Sequence, residues 1–125
     1  MGTPNLGIAH IVANQNQPEV TANAAFDAFD GALTDVFSQA MADADQTPST
    51  ANAMSHMVIE CTGAPTADRH LILPNTKKVY GINNKTTGGH NIIVETAAPA
   101  GTVSVAAGSP KIVYCDGANN FTAFV

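Results

Sequence analysis

Apolar positions recur every three or four residues in the first third of the chain and every second residue after about position 54. Phe26, Phe29, Leu33, Val36, Phe37, Ala40 and Met41 follow the first rhythm, which places them on one stripe of an α-helix. A single long amphipathic helix is therefore expected over 20–44. Pro18 suits the start of such a helix and the Thr21 hydroxyl can cap its first amides. Gly31 inside it costs about 1 kcal/mol relative to Ala, and reads equally as room for close helix approach or as a tolerated small residue. The opposite face is acidic: Asp27, Asp30, Asp35, Asp43 and Asp45 have no Lys or Arg in the helix to pair with. One helix cannot bury such a stripe in itself. Phe26, Phe29, Leu33, Val36 and Phe37 are thus the expected oligomerisation seam, unless the stripe lies on the rest of its own chain.

Ahead of the helix, the short run Leu6-Gly7-Ile8-Ala9-His10-Ile11-Val12 is too brief to form a stable helix and reads as an extended segment or small turn that docks on another surface. Leu6, Ile8, Ile11 and Val12 are its anchoring side chains. Beyond the helix, Pro48 and its Thr, Ser and Asn neighbours mark a linker. The second rhythm then predicts short strands near 54–61, 69–73, 77–83, 91–96, 102–106, 111–115 and 121–125. Turn chemistry separates them at Pro74-Asn75, Thr87-Gly88-Gly89, Pro99-Ala100-Gly101, Gly108-Ser109-Pro110 and Asp116-Gly117. The expected fold class is α+β, with an N-terminal extended arm and amphipathic helix followed by a small antiparallel β-sandwich or barrel. The expected division is an attachment arm and oligomerisation helix over 1–47, a linker over 48–53 and a β domain over 54–125.

Charge changes this picture more than composition does. The net charge is −5, which argues against a nucleic-acid binder, whose footprint is a basic stripe. Its distribution is lopsided: residues 1–68 hold eight of the ten acids and no base, while all five bases follow from Arg69 onward. The acidic and basic halves can attract one another within a chain or between neighbouring copies. No stretch approaches the roughly 20 apolar residues of a membrane span, and the opening residues lack the order of a secretory signal. Cys61 and Cys115 are therefore expected to be buried thiols, with a single bridge as the other possibility.

Catalytic chemistry finds no constellation. Nucleophile elbow, phosphate loop and dinucleotide fingerprint are all missing from the sequence, and helix acids do not make a carboxylate pair across a cleft. The four histidines lack metal-ligand spacing, so no metal or cofactor is expected, although a threefold axis can gather three copies of one His. Carbohydrate recognition is the remaining chemical idea. Asn83, Asn84 and Thr86 offer amide and hydroxyl groups at a hairpin tip beside Gly88 and Gly89, and Tyr80 can stack on a sugar ring, so these residues are the candidate glycan contacts.

The opening Leu6, Gly7, Asn14, Gln15, Gln17, Val20, Thr21, Asn23, Ala25 and Asp30 resemble the N-terminal segment of tailed-bacteriophage structural proteins. The second half is similar to a β module of phage tail-fibre and tail-associated proteins. Leu71, Leu73 and Pro74 carry that likeness, with Asn84, Thr86, Gly88 and Gly89 and then Tyr114, Cys115, Asp116 and Gly117. The resemblance implies a non-enzymatic virion component located in the particle: a short fibre, spike or decoration subunit, commonly a homotrimer. Its N-terminal part would face a capsid, portal or tail protein and its β module would point outward. The alternative is a carbohydrate-binding module that recognises a host surface glycan.

Overall fold

The computed structural model describes residues 2–124. Two helices, α1 (Pro18–Thr34) and α2 (Thr50–Met54), accompany eight strands. The strands are β1 (Val36–Ala40), β2 (Val58–Thr62), β3 (Arg69–Ile72), β4 (Lys78–Asn84), β5 (Ile92–Glu95), β6 (Val103–Val105), β7 (Pro110–Cys115) and β8 (Phe121–Phe124). They form two open sheets, one of order β1-β2-β4-β7-β8 and one of order β3-β5-β6.

The expected all-antiparallel arrangement is corrected by the pairing. β1 with β2, β2 with β4, and β3 with β5 run parallel; β4 with β7, β5 with β6, and β7 with β8 run antiparallel. Parallel neighbours need a crossover rather than a hairpin. From β1 to β2 the crossover is α2; for the other two parallel pairs it is a strand in the facing sheet, as the chain passes from β2 to β3 in the other layer, returns as β4, and crosses again to β5. The Gly88-Gly89 turn is thus a corner between layers instead of a hairpin tip. Only β5 to β6 and β7 to β8 are sequential antiparallel pairs. The second of these keeps the expected Asp116-Gly117 turn, in which the Asp116 carboxylate accepts the Ala118 amide at 2.7 Å.

One core lies between the sheets. Ile59, Cys61, Tyr80, Ile82, Val113 and Phe121 come from the larger sheet, and Leu71, Ile92, Val94, Val103 and Val105 from the smaller. Strict alternation puts them there: in β4, Tyr80, Ile82 and Asn84 are buried while Val79, Gly81 and Asn83 face the other way. Asn84 is the polar member of this core. Its amide nitrogen donates to the His90 and Val105 carbonyls at 3.0 and 2.9 Å, and its oxygen accepts the Thr86 amide and hydroxyl at 3.1 and 2.5 Å. All four of its hydrogen-bonding positions are filled, so it pins the β4 corner to the opposite layer without leaving a buried polar group unpaired.

The helix is shorter than expected over 20–44. It starts at Pro18, after a left-handed Gln17 with φ 53°, and stops at Thr34, where the extended Asp35 returns its amide to the Gly31 carbonyl. Val36 to Ala40 leave the helix to pair with β2. Phe37, Ala40 and Met41 fit a helical spacing and a strand almost equally well, and the available edge of β2 decides the matter. The stretch expected as a linker is also structured. Ser49 caps α2 by accepting the Asn52 amide at 3.1 Å, and Ala53 and Met54 enter the core.

Candidate interaction surface

The inward face of α1 is the one lined with small side chains. Thr21, Ala22, Ala25, Ala28 and Gly31 are half-buried and Ala32 is buried. Shallow cavities separate this face from Leu6 and Ile8 of the arm and from Met54 of α2 and the following Ser55. Gly31 permits the approach: a Cβ there would lie 3.1 Å from the Ser55 carbonyl oxygen and 3.0 Å from Asp35 Oδ2. The large apolar side chains consequently point outward, with Phe26 and Leu33 each 69 % exposed and Phe29 47 %. Asp30 lies one turn from Phe26 and from Leu33 on the same side of the helix, so the ridge is oily with an acidic flank.

Of the expected seam, then, three residues remain together. Val36 sits on the outer face of the larger sheet, 53 % exposed. Phe37 turns inward, packs partly against the core and lies 5.3 Å from the His56 ring. The anchoring residues of the arm also divide. Residues 2–9 close into a tight turn, with the Thr3 amide donating to the Ile8 carbonyl at 2.8 Å and the Ile8 amide to the Thr3 hydroxyl at 3.0 Å. Ile8 is buried and Leu6 packs against the core, so both are occupied by their own chain, whereas Ile11 and Val12 stay exposed. Among the candidate glycan contacts, Tyr80, Asn84 and Thr86 are buried and only Asn83 is partly accessible, donating to Glu60 at 3.3 Å. Burial of three of the four removes them from a binding tip.

A second apolar surface was missed by sequence reasoning. The outer face of the larger sheet carries a cross-strand row in which Val36 pairs with Val58, Val58 with Gly81, Gly81 with Ile112 and Ile112 with Phe124. Val79, Ile112 and Phe124 are exposed, and the Tyr114 and Phe124 rings pack 5.3 Å apart. Beside them a shallow groove of about 510 Å³ is lined by Lys77, Lys78, Val79, Tyr114, Asp116 and Phe124. The run Ile112-Val113-Tyr114-Cys115 held the signal, because a strand apolar at consecutive positions has two faces to cover.

Electrostatics distinguish the two surfaces. Among the described residues, the acids of the sheets are engaged: Asp43 pairs with Arg69 at 2.7 Å, Glu60 with Lys85 at 3.5 Å and Glu95 with His70. Glu19, Asp27 and Asp30 of α1 have no basic partner there, and neither Lys77 nor Lys78 has an acidic one. Lys78 is half-buried, with Nζ 2.7 Å from the His56 carbonyl and 4.2 Å from the Tyr80 ring centre, and burial lowers its pKa to about 8. Lys77 is exposed and supplies the firmer positive charge. The Asp116 carboxylate at the groove rim is already held by the Ala118 amide and Asn120, and these hydrogen bonds lower its pKa.

Other reactive groups are closed off. Cys61 and Cys115 are unbridged and buried, and burial pushes the Cys61 thiol up to about 12. Burial also raises the pKa of the Tyr80 hydroxyl, which is without a hydrogen-bond partner. Among the described residues no three His, Cys, Asp or Glu side chains gather as a metal site, and no helix is long and apolar enough to cross a membrane. Comparison with protein-family models, with curated proteins and with solved structures gives no match.

Proposed function

We propose that this protein is a non-enzymatic structural subunit that works by self-association, a short fibre, spike or decoration component of a tailed-phage virion as its sequence resemblance implies. The observation that carries this reading is the outward ridge of Phe26, Phe29 and Leu33, which its own chain leaves exposed. Exposed apolar ridges of this kind mark contact surfaces. Covering one Phe or Leu side chain is worth roughly 1.5–3 kcal/mol, so a few per subunit offset much of the entropy lost on association. Within this reading Ile11 and Val12 are the arm positions free to meet a particle protein, the two facing sheets form the outward module, and the homotrimer is the expected assembly. Recognition of a host glycan through Tyr80, Asn84 and Thr86 loses its support to their burial.

Sedimentation velocity tests the reading directly. The wild-type chain is expected to associate, and the double substitution Phe29→Asp with Leu33→Asp to sediment as a monomer with an unchanged circular dichroism spectrum. An oligomer that persists unaltered in that variant rejects the ridge as the contact.

A further inference from the structure

We infer that the counter-surface for this ridge is not another ridge: the acidic, apolar face of α1 in one copy seats against the lysine-flanked groove on the outer sheet face of a second copy. This inference rests on the self-association reading and specifies its geometry.

Three observations support it. First, the helix ridge is flanked by acids and the groove by the exposed Lys77. Glu19, Asp27 and Asp30 lie on the helix without a basic partner among the described residues, and Lys77 borders the groove without an acidic one, while Lys78 turns to the His56 carbonyl and the Tyr80 ring on the inner side and Asp116 adds an acid at the rim. Two ridges meeting face to face would bring these helix acids together with no base between them, since residues 1–68 contain none. Such a pairing is opposed by like charge, whereas ridge on groove is favoured. Second, both surfaces are apolar at the centre and polar at the rim, the usual anatomy of a contact. Phe26 and Leu33 match Val79, Tyr114 and Phe124 in character, and Val79 and Phe124 are 39 % and 55 % exposed. Third, the dimensions agree. A helix of 17 residues is about 25 Å long at 1.5 Å per residue, while the three strands β4, β7 and β8 that carry the groove, about 4.8 Å apart, span roughly 10 Å, so one helix reaches across it.

The two surfaces are separated within one molecule. α1 runs directly into β1, the first edge of the larger sheet, while the groove is built on β4, β7 and β8 toward the other edge. Each copy offers one ridge and one groove, so the contact closes reciprocally as a twofold dimer or runs head to tail until the rotation closes a ring. A trimer is the smallest ring of the head-to-tail form.

Mixing two crippled variants decides the matter. The ridge variant is Phe29→Asp with Leu33→Asp, and the groove variant is Val79→Thr with Phe124→Thr, chosen because Thr keeps strand preference. Each alone is expected to sediment as a monomer. An equimolar mixture is expected to form a complex of one ridge variant and one groove variant that grows no further, because one supplies the intact groove and the other the intact ridge. A groove variant that associates like the wild type overturns the ridge-on-groove contact and leaves self-association standing. A wild-type chain that is monomeric throughout overturns both. Should the groove variant lose its folded circular dichroism spectrum, the charge pair carries the same test. Lys77→Glu is expected to weaken association about tenfold, and adding Asp27→Lys and Asp30→Lys to restore it. Failure of the combined reversal to recover what the single one lost also overturns the contact.

Discussion

The space between the sheets and the surface of α1 are built from equally apolar side chains and meet opposite fates. Ile59, Tyr80, Ile82, Val94 and Val113 are fully buried, each facing a residue of the other layer across the core. On α1 only Ala32 is buried, and Phe26 and Leu33 remain 69 % exposed. The difference is one of partners. In the sheets, alternation provides one inward face per strand and a second layer to cover it. The helix turns its smallest side chains toward the arm and α2, so Gly31 can lie against the Ser55 carbonyl, and close approach of the backbone takes precedence over burial of the large side chains. Apolar content therefore measures a need for company, and the fold determines whether the chain itself supplies it.

The largest expected effect falls on the covered side. Asn84→Leu removes four hydrogen bonds at the β4 corner and is expected to cost about 2–6 kcal/mol, read as a lower urea midpoint. Phe26→Ser on the exposed ridge should change monomer stability by less than about 0.5 kcal/mol. A comparable loss at both positions would break the contrast between core and ridge.

Acid titration probes the joint between the turn after β1 and the start of β3. The Thr66 amide, the Arg69 guanidinium and the Thr66 hydroxyl hold the Asp43 carboxyl at about 2, below its ordinary 3.8. A depressed carboxylate adds stability above its unfolded pKa and loses it as pH falls through the folded one. Stability is thus expected to drop between pH 3.8 and about 2, and Asp43→Asn to flatten that limb in a pH series of thermal melts. An identical acid limb in both proteins would remove Asp43 from the joint.

Two smaller effects sharpen the account of the helix and its exit. Gly31→Ala would gain about 1 kcal/mol from helix propensity alone. With Ser55 and Asp35 oxygens 3.1 and 3.0 Å from the new Cβ, the melting temperature is expected to stay level or fall. A rise of several degrees would mean that α1 is not held against α2. Ala42, just after β1, is left-handed with φ 49°, so Ala42→Gly is expected to stabilise by about 0.5 kcal/mol. A loss of stability there would show that the turn is set by contacts rather than by backbone preference.

The amino-acid sequence by itself determined the features that depend on near neighbours. The helix start at Pro18 and the Asp116-Gly117 turn arise from side chains a few positions apart, through φ restriction and side-chain hydrogen bonds, whereas the change of rhythm expected near residue 54 falls at Asp35, where α1 gives way to β1. The buried thiols also followed from the chain's composition and context. Tertiary structure alone decided which layer each strand joined, that Val36 to Ala40 left the helix for β2, and that Tyr80, Asn84 and Thr86 went inside. It alone decided that the helix would present Phe26 and Leu33 outward while Ala28 and Ala32 faced in. Periodicity identifies a stripe but carries no information about what lies opposite it. That depends on contacts between residues distant along the chain: the edge of β2 took Val36–Ala40 as a strand, and the Ser55 carbonyl beside α2 took the Gly31 side of α1.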